Sequence, residues 1–412
     1  MKYGLIGEKL SHSFSERVHN LLGNDEYEVK SIPFEKIDAF LIDRNFIGIN
    51  ITIPYKKTVI PYCDALSDEA RAIGAVNTLV ARGGVLTAHN TDCHGFEALA
   101  QMAGIDFAGK RVIILGSGGT SATVRYVAKR LDAREIVTIS RQGDVTYSDL
   151  AKYRNTDIIV NTTPLGMFPN NGESPVNLDS FSNLSGVLDV VYNPLRTALI
   201  MDAKARGIPC AGGLLMLVAQ AARASELFFD TKIGNEKLLD VYRTILQEKS
   251  NIILIGMPGC GKSTVGQRLA AKLAREFLDT DDMVTEREGR SIPDIFADNG
   301  EGYFREAERE AVADAGKRSG VVIAVGGGAV LRDENRRALR QNGVIVHIDR
   351  PLESLELGDG RPLSPSFEAL QKMYPLRTPI YESFRDILVH GGGSADDTAE
   401  EIKKIFQQSE VR

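Results

Sequence analysis

The stretch Asn251–Gly266, N-I-I-L-I-G-M-P-G-C-G-K-S-T-V-G, decides how this chain is read. The apolar run Ile252-Ile253-Leu254-Ile255 predicts a buried strand. Gly256–Ser263 then spells the complete G-x-x-x-x-G-K-S phosphate loop, and Val265–Ala274 behind it has helical spacing. Glycines let the backbone curl until successive N–H groups point inward at phosphate oxygens, and the helix N-terminus adds partial positive charge. Lys262 reaches the β- and γ-phosphates and Ser263 places a hydroxyl on Mg²⁺, while Gly259, Cys260, Gly261 and Thr264 complete the ATP cradle. The bland alternative is a glycine-rich turn with a chance lysine, and the strand before and helix behind count against it. Such a loop normally follows the first strand of its domain. Here it begins at residue 256, so a separate domain precedes it.

A chain of 412 residues exceeds one ordinary core, and two or more domains are expected. With 43% hydrophobic and 25% charged residues and no tract of eighteen apolar residues, the composition is that of a globular protein. The start, Met1-Lys2-Tyr3-Gly4-Leu5-Ile6-Gly7, reads as a strand entering a turn rather than a signal or transit peptide, which predicts neither secretion nor membrane insertion. The four cysteines, Cys63, Cys93, Cys210 and Cys260, show no C-x-x-C spacing, so neither a zinc site nor a disulfide framework is indicated, and a reducing cytoplasm fits. Net charge is −6. Residues 1–249 carry 27 Lys and Arg against 28 Asp and Glu, and residues 250–412 carry 22 against 27, so neither half has the basic excess of a nucleic-acid binder. The partners to expect are small anions.

In the first half, Tyr3–Ile6, Val29–Ile32 and Gly48–Ile53 read as strands and Ser15–Leu22 as a helix. Three polar clusters interrupt them. Ser11-His12-Ser13-Phe14-Ser15 offers hydroxyls that can cap a helix or meet a polyhydroxylated ligand. In Asn50-Ile51-Thr52-Ile53-Pro54-Tyr55-Lys56, Pro54 cannot continue a central strand, so Lys56 lies beyond a strand end, where ligand-facing loops occur. Gly74–Thr78, with Asn77, and Ala88-His89-Asn90-Thr91-Asp92 gather carboxamides and hydroxyls that have no obvious structural use. Next, Lys110–Leu115, the glycine turn Gly116-Ser117-Gly118-Gly119-Thr120, the helix Ala122–Leu131 and the strand Glu135–Ser140 make a dinucleotide-binding βαβ start. Its second strand ends in Ser140-Arg141, where an acidic residue would hold the ribose diol of NAD; Arg141 suits the 2′-phosphate of NADP instead. Asp157–Val160 and Val187–Val191 are further strands, ending in Asn161–Met167 and Tyr192-Asn193-Pro194, and Gly212–Gln220 opens a helix that carries Gln220.

These runs, taken in order, resemble the shikimate dehydrogenase family along residues 1–246. The resemblance implies a two-lobed α/β fold, with residues 1–96 and 211–246 as the substrate lobe and 97–210 as a Rossmann NADP lobe. It implies Lys56 and Asp92 as the catalytic pair, Lys56 exchanging the proton of the alcohol that becomes the ketone. Ser13, Ser15, Thr52, Lys56, Asn77, Asp92, Tyr192 and Gln220 would hold the substrate. Gly116, Ser117, Gly118, Gly119, Thr120, Ser140, Arg141, Val190 and Gly213 would hold NADP(H). Hydride transfer needs a group that gives or takes a proton near neutral pH, and a lysine beside a carboxylate is such a group.

Glu236–Gln247 reads as an amphipathic helix, which leaves Glu248-Lys249-Ser250 as a three-residue link, within a boundary of 247–250, to a domain at 251–412. Past the phosphate loop, Phe277-Leu278-Asp279-Thr280-Asp281-Asp282 presents carboxylates at a strand end, and Asp279 and Asp281 share one face if strand geometry persists. Glu301–Ala315 is a charged helix containing Phe304-Arg305-Glu306, whose arginines commonly pair with glutamates one turn away. Val321–Val325 ends in Gly326-Gly327-Gly328, a sign of close backbone approach to a ligand or of a tight turn. Val344–Ile348 is a strand, followed by the loop Glu353–Leu363 with Arg361 and the helix-like Arg377–Tyr381.

G-M-P-G-C-G-K-S-T, F-L-D-T-D, F-R-E-A-E, G-G-G-A-V, G-R-P-L and R-T-P-I-Y together resemble shikimate kinase, a P-loop kinase related in fold to nucleoside monophosphate kinases. The resemblance implies that Asp281 orients the substrate hydroxyl and takes its proton, that Arg305 and Arg377 clamp a carboxylate, and that Gly327 and Gly328 touch the ring. It implies Arg361 on a lid over the transferring phosphoryl group, and Ser263 with Asp279 as the metal residues for Mg²⁺. The lid stretch is short and acidic where relatives often carry a basic residue toward the nucleotide. Both resemblances name one metabolite. They imply 3-dehydroshikimate, shikimate and ATP as small-molecule partners. A kinase of other specificity is the rival, and two guanidinium groups argue against a neutral sugar. A regulator without turnover is opposed by the presence of Lys56, Asp92, Lys262 and Asp281.

Overall fold

The computed structural model describes residues 1–10, 14–357, 362–363 and 366–408. Its chain forms two compact units, Met1–Asn193 with Thr197–Ile245, and Pro194–Arg196 with Leu246–Arg412. Two sheets belong to the first unit and one to the second.

The first sheet holds β1 (Tyr3–Gly7), β2 (Tyr27–Ser31), β3 (Gly48–Ile51), β4 (Ala65–Leu66), β5 (Thr78–Arg82) and β6 (Val85–His89), in the order β2-β1-β3-β5-β6-β4. β1 runs parallel to β2 and β3, whereas β5 is antiparallel to β3 and β6. Gly83 and Gly84, at φ 58° and 81°, make the two-residue hairpin that joins β5 to β6. β3 stops at Ile51, short of Pro54, so Thr52 and Lys56 sit in the loop beyond its carboxyl end.

The second sheet is wholly parallel: β7 (Arg111–Leu115), β8 (Glu135–Ile139), β9 (Ile158–Asn161), β10 (Gly186–Asp189) and β11 (Cys210–Ala211), ordered β11-β10-β9-β7-β8. Val112–Leu115 and Ile158–Val160 are fully buried, as unbroken apolar runs covered on both faces must be. The strand order reverses between β7 and β9, and the crevice at such a switch point is where a dinucleotide binds in this architecture. The helices Asp92–Met102 and Leu214–Phe229 pack against each other in the same unit. Gly95 permits the approach, because a Cβ there would stand 2.5 Å from the Met216 carbonyl oxygen.

In the second unit β12 (Asn251–Ile255), β13 (Phe277–Asp279), β14 (Val322–Ala324), β15 (Gly343–Asp349) and β16 (Ile387–His390) form a parallel sheet ordered β13-β14-β12-β15-β16. β12 and β14 are neighbours, so the phosphate loop after β12 and the triple glycine after β14 leave the sheet side by side. A Cβ on Gly327 would stand 2.8 Å from Pro258 Cδ.

Three expectations are corrected. The helix Asn235–Lys249 takes in Glu248 and Lys249, leaving Ser250 alone before β12. Strand geometry ends at Asp279: its side chain accepts from the Asp281 N–H at 3.0 Å and caps the helix Thr280–Glu288, so Asp281 is helical and the alternation fails. The charged helix spans Ile292–Lys317 and is broken at Gly300, whose φ 79° and ψ 175° are open to glycine and not to the residues around it. Among the described residues no helix is long and apolar enough to cross a membrane.

Candidate active sites

A cleft of about 360 Å³ in the first unit is lined by Ser15, Thr52, Lys56, Asn77, Asp92, Tyr192 and Gln220, together with Thr120, Val190 and Gly213. Helix starts and the loops beyond strand ends converge to build it. Tyr55 is fully buried and its hydroxyl donates to the Ile32 carbonyl at 2.6 Å, which fixes the backbone that carries Lys56. Lys56 Nζ donates to Asp92 Oδ2 at 2.6 Å. Asp92 opens the helix Asp92–Met102, where the helix field favours a carboxylate. Its other oxygen accepts from Asn77 Nδ2 at 2.9 Å. That same amide nitrogen lies 3.0 Å from Thr91 Oγ1 and 3.5 Å from Gln220 Oε1, and the Thr91 N–H donates to Asn77 Oδ1 at 2.7 Å. The Tyr192 ring meets Phe14 edge to face at 5.3 Å, and burial holds its hydroxyl protonated by raising its pKa. Ser13 lies outside the described residues.

The glycine turn stands at the carboxyl end of β7. Gly116 has φ 105°, and a Cβ there would reach within 2.8 Å of Thr162 Oγ1, so only glycine brings the two loops of the switch point together. Ser117, Gly118 and Gly119 are exposed at the start of the helix Gly119–Arg130. Gly213 is equally constrained: a Cβ would fall 2.1 Å from the Val190 carbonyl oxygen. Ser140 is buried at the end of β8, and Arg141 beside it is exposed with no ion pair among the described residues.

In the second unit a cavity of about 210 Å³ is lined by Gly259, Gly261, Lys262, Ser263, Thr264, Asp279, Asp281, Arg305, Gly327, Gly328 and Arg377, among others. Gly256, Gly259 and Gly261 all have positive φ, as the curled loop requires. Lys262 is buried and its Nζ donates to the Gly256 and Met257 carbonyls at 3.0 Å each. Cys260 is fully buried under the loop and does not line the cavity. Ser263 Oγ donates to Asp279 Oδ2 at 2.6 Å. Asp281 Oδ1 is buried with no hydrogen-bond partner among the described residues. Burial first, then the charges of Asp279 and Glu308, push its carboxyl up to about 7 against the opposing pull of Lys262.

Sequence reasoning gave Glu308 no role. It is buried, and its Oε2 accepts from Arg305 Nη1 at 2.8 Å, while Glu301 holds the other side of the guanidinium at 3.1 Å. The signal was available: Glu308 falls on the stripe of Phe304, Ala307, Ala311 and Val312, an acidic residue on an apolar face. Tyr381, quoted in the sequence without a role, donates its hydroxyl to the Gly327 carbonyl at 2.5 Å and so fixes the triple glycine. Arg377 is buried on the helix Phe367–Phe384, between Pro375 and Pro379. Arg361 lies outside the described residues.

Together the sheets and cavities define a class: a two-lobed nicotinamide-dinucleotide dehydrogenase continued by a P-loop phosphotransferase. Residues 5–79 match the family described as shikimate dehydrogenase substrate binding domain, and residues 258–408 match the shikimate kinase family. A shikimate dehydrogenase (NADP(+)) of Clostridium beijerinckii is 35% identical over 260 residues, covering 58% of this chain and 96% of that protein. The chain belongs to the shikimate dehydrogenase family and carries a shikimate kinase domain at its C-terminal end. Among solved structures, a chorismate mutase/shikimate 5-dehydrogenase fusion protein from Clostridium acetobutylicum shares 33% identity at a TM-score of 0.56, over 59% of this chain and 96% of that one. Shikimate 5-dehydrogenase from Thermus thermophilus, in complex with NADP(H) and shikimate, shares 27% at 0.54, over 59% and 99%.

Proposed function

We propose that this chain carries out two consecutive reactions: reduction of 3-dehydroshikimate to shikimate with NADPH in the first unit, and phosphorylation of shikimate to shikimate 3-phosphate with ATP in the second. The supporting observation is that both cavities suit a polyhydroxylated carboxylate, one through Lys56–Asp92 among amides and hydroxyls, the other through Asp281 with Arg305 and Arg377.

NADPH supplies the hydride. Lys56 gives a proton to the carbonyl oxygen that becomes the alcohol, and Asp92 holds the ammonium in place for that transfer. Asn77, Gln220, Thr52, Ser15, Ser13 and Tyr192 hold the remaining oxygens of the substrate. The N–H groups of Gly116–Thr120 take the pyrophosphate, Ser140 and Arg141 take the 2′-phosphate, and Val190 and Gly213 leave room for the nicotinamide.

In the second unit, Asp281 orients the acceptor hydroxyl and takes its proton. Arg305, pinned by Glu301 and Glu308, clamps the carboxylate with Arg377, and Gly327 and Gly328 let the ring approach the backbone. Lys262 exchanges its two loop carbonyls for β- and γ-phosphate oxygens, and Arg361 neutralises the transferring group. A hydroxyl and a carboxylate 2.6 Å apart beside the phosphate loop fit Mg²⁺, which keeps several waters and takes few protein ligands; Ser263 and Asp279 would hold it. Four unpaired cysteines accord with a reducing cytoplasm.

The test supplies purified chain with 3-dehydroshikimate, NADPH, ATP and Mg²⁺, and follows NADPH oxidation and ADP release together. Accumulation of shikimate 3-phosphate is expected. NADPH oxidation with shikimate left unphosphorylated would overturn the kinase half.

A further inference from the structure

Arg350 follows the last residue of β15 and is wedged between two glycines. Its guanidinium carbon lies 3.8 Å from where a Cβ would stand on Gly261, the last glycine of the phosphate loop. A Cβ on Gly391 would fall 2.8 Å from Arg350 Nε and 2.9 Å from its Cγ, so Gly391 keeps the slot open for this side chain. Nε is buried without a hydrogen-bond partner, and no carboxylate pairs with the guanidinium among the described residues. Arg305, in contrast, has two glutamates. A partly buried guanidinium with no counter-ion among the described residues, set against a loop built for phosphates, is favourable once an anion arrives.

The neighbouring segment makes that cation needed. Pro351–Leu357 contains no lysine or arginine but holds Glu353 and Glu356, and the Glu356 N–H donates to the Gly259 carbonyl at 3.2 Å, which seats this acidic stretch on the loop. Arg350 does not line the cavity that Asp281, Arg305 and Arg377 share with Gly261 and Lys262; its neighbours are the outer side of Gly261 and Gly391. Lys262 serves the β/γ end. We propose that Arg350 contacts the α-phosphate of the bound nucleotide, offsetting the acidic stretch above the loop. The proposal rests on the ATP-dependent kinase reading of the second unit.

Mg-ADP binding to the full chain is measured for wild type, Arg350→Ala and Arg350→Lys at low salt and at about 0.5 M salt, where surface electrostatics are largely screened. The calorimetric unfolding transition of the second unit checks that each variant is folded. Arg350→Ala is expected to weaken binding roughly 10-fold at low salt, the usual size of one charge-assisted hydrogen bond, with the gap shrinking at high salt and Arg350→Lys recovering part of it. The KM for ATP should rise by the same factor while the KM for shikimate stays put. Equal affinity of wild type and Arg350→Ala overturns the proposal. An equal loss at both salts also overturns it, placing the guanidinium on the base. Failure of the wild type to bind Mg-ADP would overturn the kinase reading beneath it.

Discussion

In the dehydrogenase cleft Lys56 and Asp92 meet at 2.6 Å, whereas in the kinase cavity Asp281 Oδ1 is buried with no partner among the described residues. The first site neutralises its own charge. The second keeps a carboxyl whose charge the fold resists, and that resistance is relieved only by a bound hydroxyl, cation or proton. An aspartate with a raised folded-state pKa binds its proton more tightly in the fold than in the unfolded chain. Stability of the second unit therefore falls as pH rises from the ordinary 3.8 toward about 7.

The sharpest way to break this contrast is Asp281→Asn. Phosphoryl transfer should drop ~10²–10⁴-fold while NADPH oxidation is unchanged, because the proposed general base is lost. The same change should raise the unfolding temperature of the second unit, by about 2–4 °C for each kcal/mol relieved. A lowered transition in calorimetry would end the contrast. Lys56→Ala should cost reduction of 3-dehydroshikimate on the same ~10²–10⁴ scale but with the opposite sign in stability, since Asp92 loses its cation and keeps Asn77 as its side-chain partner among the described residues. A Lys56→Ala transition as high as wild type would show that the pair contributes nothing to the fold.

The pH dependence sharpens it further. The proton-accepting form of Asp281 is the ionised one, so kcat/KM for shikimate phosphorylation should fall about tenfold per pH unit below about 7 and level off above it. Mg²⁺ held at Ser263 and Asp279 would add positive charge beside this carboxyl, so the midpoint should lie lower at saturating than at limiting Mg²⁺. A midpoint that does not move with Mg²⁺ in steady-state profiles would mean that no cation comes near this carboxyl. The smallest effect concerns Arg141, which is unpaired among the described residues yet exposed, so solvent already satisfies it. Arg141→Ala should raise the KM for NADPH roughly 10-fold, leave that for NADH alone and leave the melting curve unmoved. A shifted melting curve would show that exposure does not separate Arg141 from Asp281.

Much of this was legible in the chain because it is carried by local spacing. The phosphate loop, the glycine turn at Gly116–Thr120 and the lysine stranded beyond Pro54 each follow from neighbours a few residues away, and each lies where its pattern put it. What could not be read depends on the third dimension. Asp281 leaves the strand because Asp279 turns its side chain back as a cap, and nothing in the D-T-D spacing distinguishes a cap from a continuing strand. Gly300 interrupts a helix that charge patterning alone continues smoothly. Glu308 and Tyr381 gain their meaning from partners at Arg305 and at Gly327, the latter 54 residues away. The short strands Ala65–Leu66 and Cys210–Ala211 have too few residues to show any period.

The amides of Asn77 and Gln220, the Thr91 hydroxyl and Asp92 bond one another in the cleft. An arriving hydroxyl therefore exchanges into bonds that exist, and each contact it makes counts only as the difference between two. Calorimetry of such a ligand should show a modest enthalpy, with the heat of the new bonds largely cancelled by those given up. Discrimination then comes from the misfit of wrong molecules: an analogue that enters without the matching hydroxyl breaks the ring of side chains and leaves a buried amide or carboxylate with nothing to bond.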